Sequence, residues 1–273
     1  MDTDLKGRVA LVTGSSHGLG RAIAEGLASE GVNVIINGRY SKTVGNTAFE
    51  IWSSCSYNIQ AYQFTCDTTD LNRINKDIFN KKMSRIGQLD ILVNNVGNIE
   101  KFGKFEDLED EDWLRMHDLG CMSAVRFIRA SLPYLKKSSQ ARIINISSLS
   151  GHQPSFTGLN PHYATTKAGV LALTKNLAND FGRYGITVNA ICPSTLSGGG
   201  WDQNVIDRAG RQEITAEEAE NMMRQEENKK SPLGKMGGLK DVANLVVFLS
   251  SSKAGFLTGH CYNVDGGITR SIL

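Results

Sequence analysis

Val9-Ala10-Leu11-Val12-Thr13-Gly14-Ser15-Ser16-His17-Gly18-Leu19-Gly20 passes from an apolar run, through a glycine-rich turn, into a segment of helical periodicity. The apolar run does not alternate with polar residues, which marks a strand covered on both faces. Glycines let the turn close tightly and let the backbone approach an anion. The free N–H groups that open the next helix favour negative charge. Gly14, Ser16, His17, Gly18, Leu19 and Gly20 are therefore candidate contacts for the pyrophosphate of a dinucleotide.

The rhythm continues along the chain. Strand-like runs follow at Asn33–Ile36, Gln60–Phe64, Ile91–Val93, Arg142–Ile146, Thr187–Ile191 and Cys261–Val264. Helical periodicity falls near 19–30, 43–53, 70–86, 111–133, 162–183 and 240–250. Strand–helix alternation predicts an α/β fold: a doubly wound (Rossmann) parallel sheet of about seven strands, with helices on both faces. No Pro/Ser-rich linker divides residues 1–273, so one domain is expected. The stretch 197–238 breaks the rhythm. It opens on Ser197-Gly198-Gly199-Gly200, turns polar and closes on Pro232–Gly238, and Thr215-x-x-Glu218 predicts a capped helix from about Ala216. A helix between glycine-rich hinges suggests a substrate lid, and a solvated surface excursion is the plainer alternative.

Composition narrows the class of function. The 30 basic and 28 acidic residues leave a net charge of +2, which gives no reason to expect nucleic acid or an anionic membrane as partner. The five cysteines are scattered, with neither a C-x-x-C nor a Cys/His cluster, so neither a metal site nor a disulfide framework is expected. The N-terminus lacks the pattern of a signal peptide, and no apolar run approaches the ~20 residues of a bilayer span. A soluble cytoplasmic protein is the expectation.

The end of the second strand bears on the choice of cofactor. An NAD site usually carries Asp or Glu there for the ribose 2′-OH. This chain reads Ile36-Asn37-Gly38-Arg39, and a guanidinium suits a 2′-phosphate. NADP(H) is expected over NAD(H), with Arg39 as the selecting residue and His17 as a second cation when protonated.

Beyond the glycine loop, the chain carries Asn94-Asn95-Val96-Gly97, Asn145-Ile146-Ser147-Ser148, Tyr163-Ala164-Thr165-Thr166-Lys167 and Asn263-Val264-Asp265-Gly266-Gly267. In that order, over about residues 5–268, these motifs resemble the short-chain dehydrogenase/reductase family, and within it the 3-oxoacyl-[acyl-carrier-protein] reductases. The resemblance implies hydride transfer between NADP(H) and a small-molecule ketone or secondary alcohol. Tyr163 would be the general acid/base, Ser148 would orient the substrate oxygen, and Lys167 would hold the nicotinamide ribose. It also implies Asp67 at the adenine amino group, Asn94 beside the adenosine ribose and central sheet, and Pro193 and Leu196 in a loop facing the carboxamide. Family members commonly pair the two long helices, so a homotetramer or homodimer is expected. Tyr163 and Lys167 lie four apart and share a helix face, and a nearby ammonium should favour the phenolate.

The chain departs from the pattern in four places. Gly120 stands where the family often has an asparagine, Val96 replaces the alanine of the Asn-Asn motif, and Ser194 and Gly198 replace a glycine and a threonine. Finally, Ser148 and Tyr163 are about two residues further apart than is usual, which should reshape the substrate mouth. Phe156, Leu159, Trp201, Met222 and Met223 are its expected apolar contacts, with His152, Gln153 and His162 as polar ones. The basic residues that acyl-carrier-protein reductases tend to carry are Ser139 and Tyr184 here, though Lys136, Lys137 and Arg183 lie close. The rival reading is a non-catalytic NADP(H)-binding sensor or scaffold. Gly120 supports that reading; the complete Ser148, Tyr163 and Lys167 set opposes it.

Overall fold

The computed structural model describes residues 2–155 and 157–270, so Phe156 lies outside the described residues. Seven strands form one sheet: β1 (Val9–Val12), β2 (Asn33–Gly38), β3 (Ala61–Thr65), β4 (Ile91–Asn94), β5 (Arg142–Ile146), β6 (Thr187–Pro193) and β7 (Cys261–Val264). Their order is β3-β2-β1-β4-β5-β6-β7, and every neighbouring pair is parallel. β1, β4, β5 and β6 are buried at every position, which is why their sequences read as unbroken apolar runs.

Eight helices accompany the sheet: α1 (Gly18–Ala28), α2 (Ser41–Ser54), α3 (71–86), α4 (110–135), α5 (Pro161–Phe181), α6 (Trp201–Gln212), α7 (Ala216–Lys230) and α8 (Leu239–Ser250). Alternate residues of β1 divide between two cores. Ala10 and Val12 join Ile23 and Leu27 of α1 and Val242 and Val246 of α8. Val9 and Leu11 join Ile78 of α3, Phe127 and Ile128 of α4 and Phe181 of α5 on the other face. The strand order reverses between β1 and β4, which opens a crevice at the carboxyl ends of the strands.

The segment 197–238 holds two helices where one was expected. Glu213, in a left-handed conformation (φ 54°), separates α6 from α7. Thr215 caps α7 as expected: its Oγ accepts from the Glu218 N–H at 3.2 Å, and Glu218 Oε2 accepts from the Thr215 N–H at 2.9 Å. A two-residue ladder of Leu196–Ser197 on Gly237–Gly238 closes the base. Trp201, Val205 and Ala219 form a separate small core with Met223 against it. Trp201, expected as a cleft contact, is buried in this small core at 4% exposure, and Met223, also expected there, packs against it partly buried. Two short polar helices have little apolar surface, and these residues bury it between the helices.

Candidate active site

The glycine loop is held from two sides. Gly14 (φ 63°) and Gly18 (φ 56°) are left-handed, and a Cβ added at Gly20 would stand 2.4 Å from the Gly14 carbonyl oxygen. Fully buried Asn37 is the hub that ties this loop to the sheet. Its Oδ1 accepts from the Gly14 N–H at 3.1 Å and its Nδ2 donates to the Phe64 carbonyl at 2.9 Å. The Ser15 N–H donates to the Asn37 carbonyl at 2.8 Å. From the β4 side, Asn95 Nδ2 donates to the Thr13 carbonyl at 3.0 Å. Val96 fits because its Cγ2 lies 2.8 Å from where a Gly14 Cβ would stand, so the bulk of one position uses the space left by the other. Sequence reasoning missed Asn37 and Asn95 as site residues. The signal was an amide closing the apolar run Val34-Ile35-Ile36, a place where a buried polar group must find partners.

His17 precedes α1 in extended conformation, with its Nδ1 3.1 Å from Ser16 Oγ. Leu19 packs against the α1 side of the core. Arg39 is exposed just past the end of β2, its guanidinium 5.8 Å from the Tyr40 ring centroid. Asp67 follows β3. Burial works to raise its carboxyl, but bonds from the Thr69 N–H and hydroxyl, with the charges of Arg39 and Arg115, hold it below the usual carboxylate range. Arg39 and Asp67 thus lie close enough to interact, just past the carboxyl ends of β2 and β3. Asn94 braces the sheet: its Nδ2 donates to Asn145 Oδ1 at 2.9 Å, and Asn145 Nδ2 donates to Thr174 Oγ1 of α5 at 2.9 Å. Pro193 is buried at the end of β6, and half-buried Leu196 opens the short ladder with Gly237–Gly238.

On the other side of the crevice, β5 delivers Ser147 and Ser148 beside the first turns of α5. Ser147 Oγ donates to the Lys167 carbonyl at 3.0 Å and so serves the backbone. Ser148 Oγ accepts from the Ser150 N–H at 3.1 Å and engages the Tyr163 side chain. The Lys167 side chain is 2% exposed, and its Nζ donates to the Ile146 carbonyl at 2.9 Å and stands 5.6 Å from the Tyr163 ring centroid. Burial lowers the Lys167 ammonium to about 8. Burial also raises the Tyr163 phenol, against the downward pull of its bond with Ser148. The expectation that Lys167 makes this phenol acidic is therefore corrected for the protein alone. Desolvation penalises both charged forms, and the dry ammonium is spent on a backbone carbonyl.

The 152–161 loop meets the C-terminal segment. His152 Nε2 and Asn263 Oδ1 are 2.9 Å apart, and Gln153 Oε1 accepts from the Arg270 N–H at 3.1 Å. The lengthened 152–161 loop is thus strapped to β7 and to the residues that follow it. His162 is buried, its ring edge-on to Trp113 with ring centroids 6.0 Å apart. Leu159 and Met222 are exposed. Tyr184 gathers the neighbouring cations, with Lys136 Nζ 3.9 Å and the Arg183 guanidinium 4.9 Å from its ring centroid.

The crevice fits a dinucleotide on its own geometry: left-handed glycines at a helix N-terminus, a loop that side chains would fill, and a dry lysine with donors to spare. Among the described residues, no group of three or more His, Cys, Asp or Glu side chains could hold a metal ion, and no helix is long and apolar enough to cross a membrane.

A protein-family model described as enoyl-(acyl carrier protein) reductase matches residues 14–269. The 3-oxoacyl-[acyl-carrier-protein] reductase of Aquifex aeolicus is 34% identical over 268 residues, covering 98% of this chain and all of that protein. The L-sorbose reductase of Gluconobacter frateurii, solved with NADPH and L-sorbose, superposes with a TM-score of 0.92 at 27% identity, covering both chains fully. A 3-oxoacyl-[acyl-carrier protein] reductase of Brucella melitensis, solved with NAD, does so with a TM-score of 0.81 at 26% identity, over 99% of this chain and 94% of that one.

Proposed function

The chain belongs to the short-chain dehydrogenase/reductase family, oxidoreductases that use a nicotinamide cofactor on small molecules, and we propose that it interconverts a ketone and a secondary alcohol with NADP(H). The observation that carries this reading is Lys167: a buried ammonium, anchored on Ile146, beside the Tyr163 ring and the Ser148 turn. A bound nicotinamide supplies or accepts the hydride. Tyr163, kept neutral by burial, donates its phenolic proton to the developing alkoxide in reduction and takes it back in oxidation. Ser148 holds the same oxygen in place, and the two free N–H bonds of Lys167 are available to ribose hydroxyls. Relatives carry NADPH in one case and NAD in another. Arg39, with Asn37 and no carboxylate at the end of β2, favours the 2′-phosphate here.

Residues 1–273 act as one domain in this reading, with 197–238 as substrate lid. The protein works in the cytoplasm as a homotetramer or homodimer joined through α4 and α5, and sedimentation as a monomer at micromolar concentration would contradict that assembly. The function is tested by NADPH oxidation with a panel of ketones that includes a ketose and a 3-oxoacyl thioester, wild type beside Tyr163→Phe. Turnover should fall by about 10²–10⁴-fold in the variant while NADPH still binds. Undiminished turnover refutes the role of Tyr163, and wild-type inactivity on every carbonyl favours a sensor.

A further inference from the structure

Gly120 is buried in the middle of α4, where the helix widens to π-helical winding over Asp118–Met122. Such a bulge is a local irregularity often found at functional sites. A Cβ added at Gly120 would stand 2.6 Å from Thr166 Cγ2 and 3.1 Å from Met116 Cε. The methionine end can swing aside, but Thr166 is a buried, β-branched residue in the second turn of α5, one position before Lys167. The opposite wall is equally close. At Gly97 (φ 142°) an added Cβ would stand 3.2 Å from the Gly120 Cα and 2.8 Å from Lys167 Nζ. Gly97, Gly120, Thr166 and Lys167 therefore interlock, and the Thr166 methyl occupies the space that a side chain at 120 would need.

We propose that Gly120 is a positioning residue, paired with Thr166, that seats the Lys167 turn of α5 on α4 and so keeps the ammonium on the Ile146 carbonyl. That anchor uses one of the three N–H bonds of the Lys167 ammonium and leaves the other two for a bound ligand. A side chain at 120 pushes Thr166 outward and carries Lys167 with it, although neither Gly120 nor Thr166 touches the reacting atoms. The inference rests on the proposed dinucleotide site and adds a residue pair to it.

Equilibrium binding separates this role from a general packing defect. Lys167 serves the nicotinamide half of the crevice, whereas Arg39 and Asp67 stand at the adenosine half. The probes are NADPH and its fragment adenosine 2′,5′-bisphosphate, or NADH and AMP if the wild type prefers NADH. In Gly120→Ala the dinucleotide Kd should rise about tenfold while the fragment Kd stays within about twofold. Adding Thr166→Ser, which keeps the hydroxyl and deletes the offending methyl, should restore dinucleotide binding. Should Gly120→Ala fail to fold, Thr166→Ala opens the same contact from the other side and should weaken the dinucleotide about threefold, again sparing the fragment. An unchanged dinucleotide Kd, equal weakening of both probes, or no rescue by Thr166→Ser overturns the pairing. A wild type that binds neither dinucleotide instead refutes the proposed function.

Discussion

Lys167 and Arg208 are both cations, and they are held in opposite ways. Lys167 is sunk between α4, α5 and β5, with one hydrogen bond to a backbone carbonyl and glycines packed against it. Arg208 lies on the lid and makes two bonds of 2.7 Å to the carboxylate of exposed Glu226. The first cation is fixed by the main core, and moving it means disturbing the sheet. The second is fixed by a solvated ion pair on a two-helix segment whose own core is Trp201, Val205 and Ala219. Surface pairs contribute little and are screened by salt, so a lid built from 197–238, as proposed above, would open without disturbing the sheet. The comparison assigns precision to one wall of the crevice and adaptability to the other.

Deleting a large aromatic from each region tests that division most severely. Phe127 is fully buried on α4 and meets Phe79 edge-on, with ring centroids 6.2 Å apart. Phe127→Ala should cost about 3–5 kcal/mol of global stability in denaturant unfolding. Trp201→Ala removes as much apolar surface, but from the lid. Its effect on the global transition should stay within about 1 kcal/mol, while proteolytic cleavage within 200–238 accelerates clearly. Equal losses in the two variants would mean that lid and sheet unfold as one unit.

The buried ammonium gives the next effect, and its sign follows from linkage. Lys167 falls from 10.5 to about 8 on folding, so between those pH values the unfolded chain binds a proton that the folded one has released. Stability from this group therefore rises with pH across that window, by up to about 3 kcal/mol, and the cost of the buried charge is fully present below pH 8. In Lys167→Met the contribution disappears. The stability of the variant relative to wild type should shrink as pH climbs from about 7.5 to 10.5, read from urea midpoints at each pH. A constant difference would show that Lys167 keeps its proton when buried, contrary to its dry setting.

The same division explains what the sequence made legible. Strands buried on both faces announce themselves as apolar runs, whereas Ser148, Tyr163 and Lys167 are brought together before any coordinates by the resemblance of their motifs to the short-chain dehydrogenase/reductase family. Asn37 and Asn95 were not found, because their partners are backbone groups from distant segments that no local pattern records. The phenol pKa ran opposite to expectation for a related reason: spacing of four places the ammonium nearby, but desolvation depends on everything packed around the pair. In the lid, the capping box located α7, whereas α6 was missed. Its start has no capping side chain, since Gly200 stands there, and it carries Gly210 near its end.

That cap supplies the smallest and most local effect. Thr215 and Glu218 satisfy each other's backbone N–H groups at the start of α7, and α7 buries little besides Ala219. Thr215→Ala should remove about 1 kcal/mol from the first turn of that helix, which is about fivefold faster amide exchange over 216–220. Thr215→Ser keeps the accepting oxygen and should exchange as the wild type does. Because lid and sheet share few contacts in this reading, protection in β4, β5 and β6 should not change in either variant. Faster exchange that spreads from 216–220 into those strands would couple the lid to the core, and the adaptable wall would then be as rigid as the one that holds Lys167.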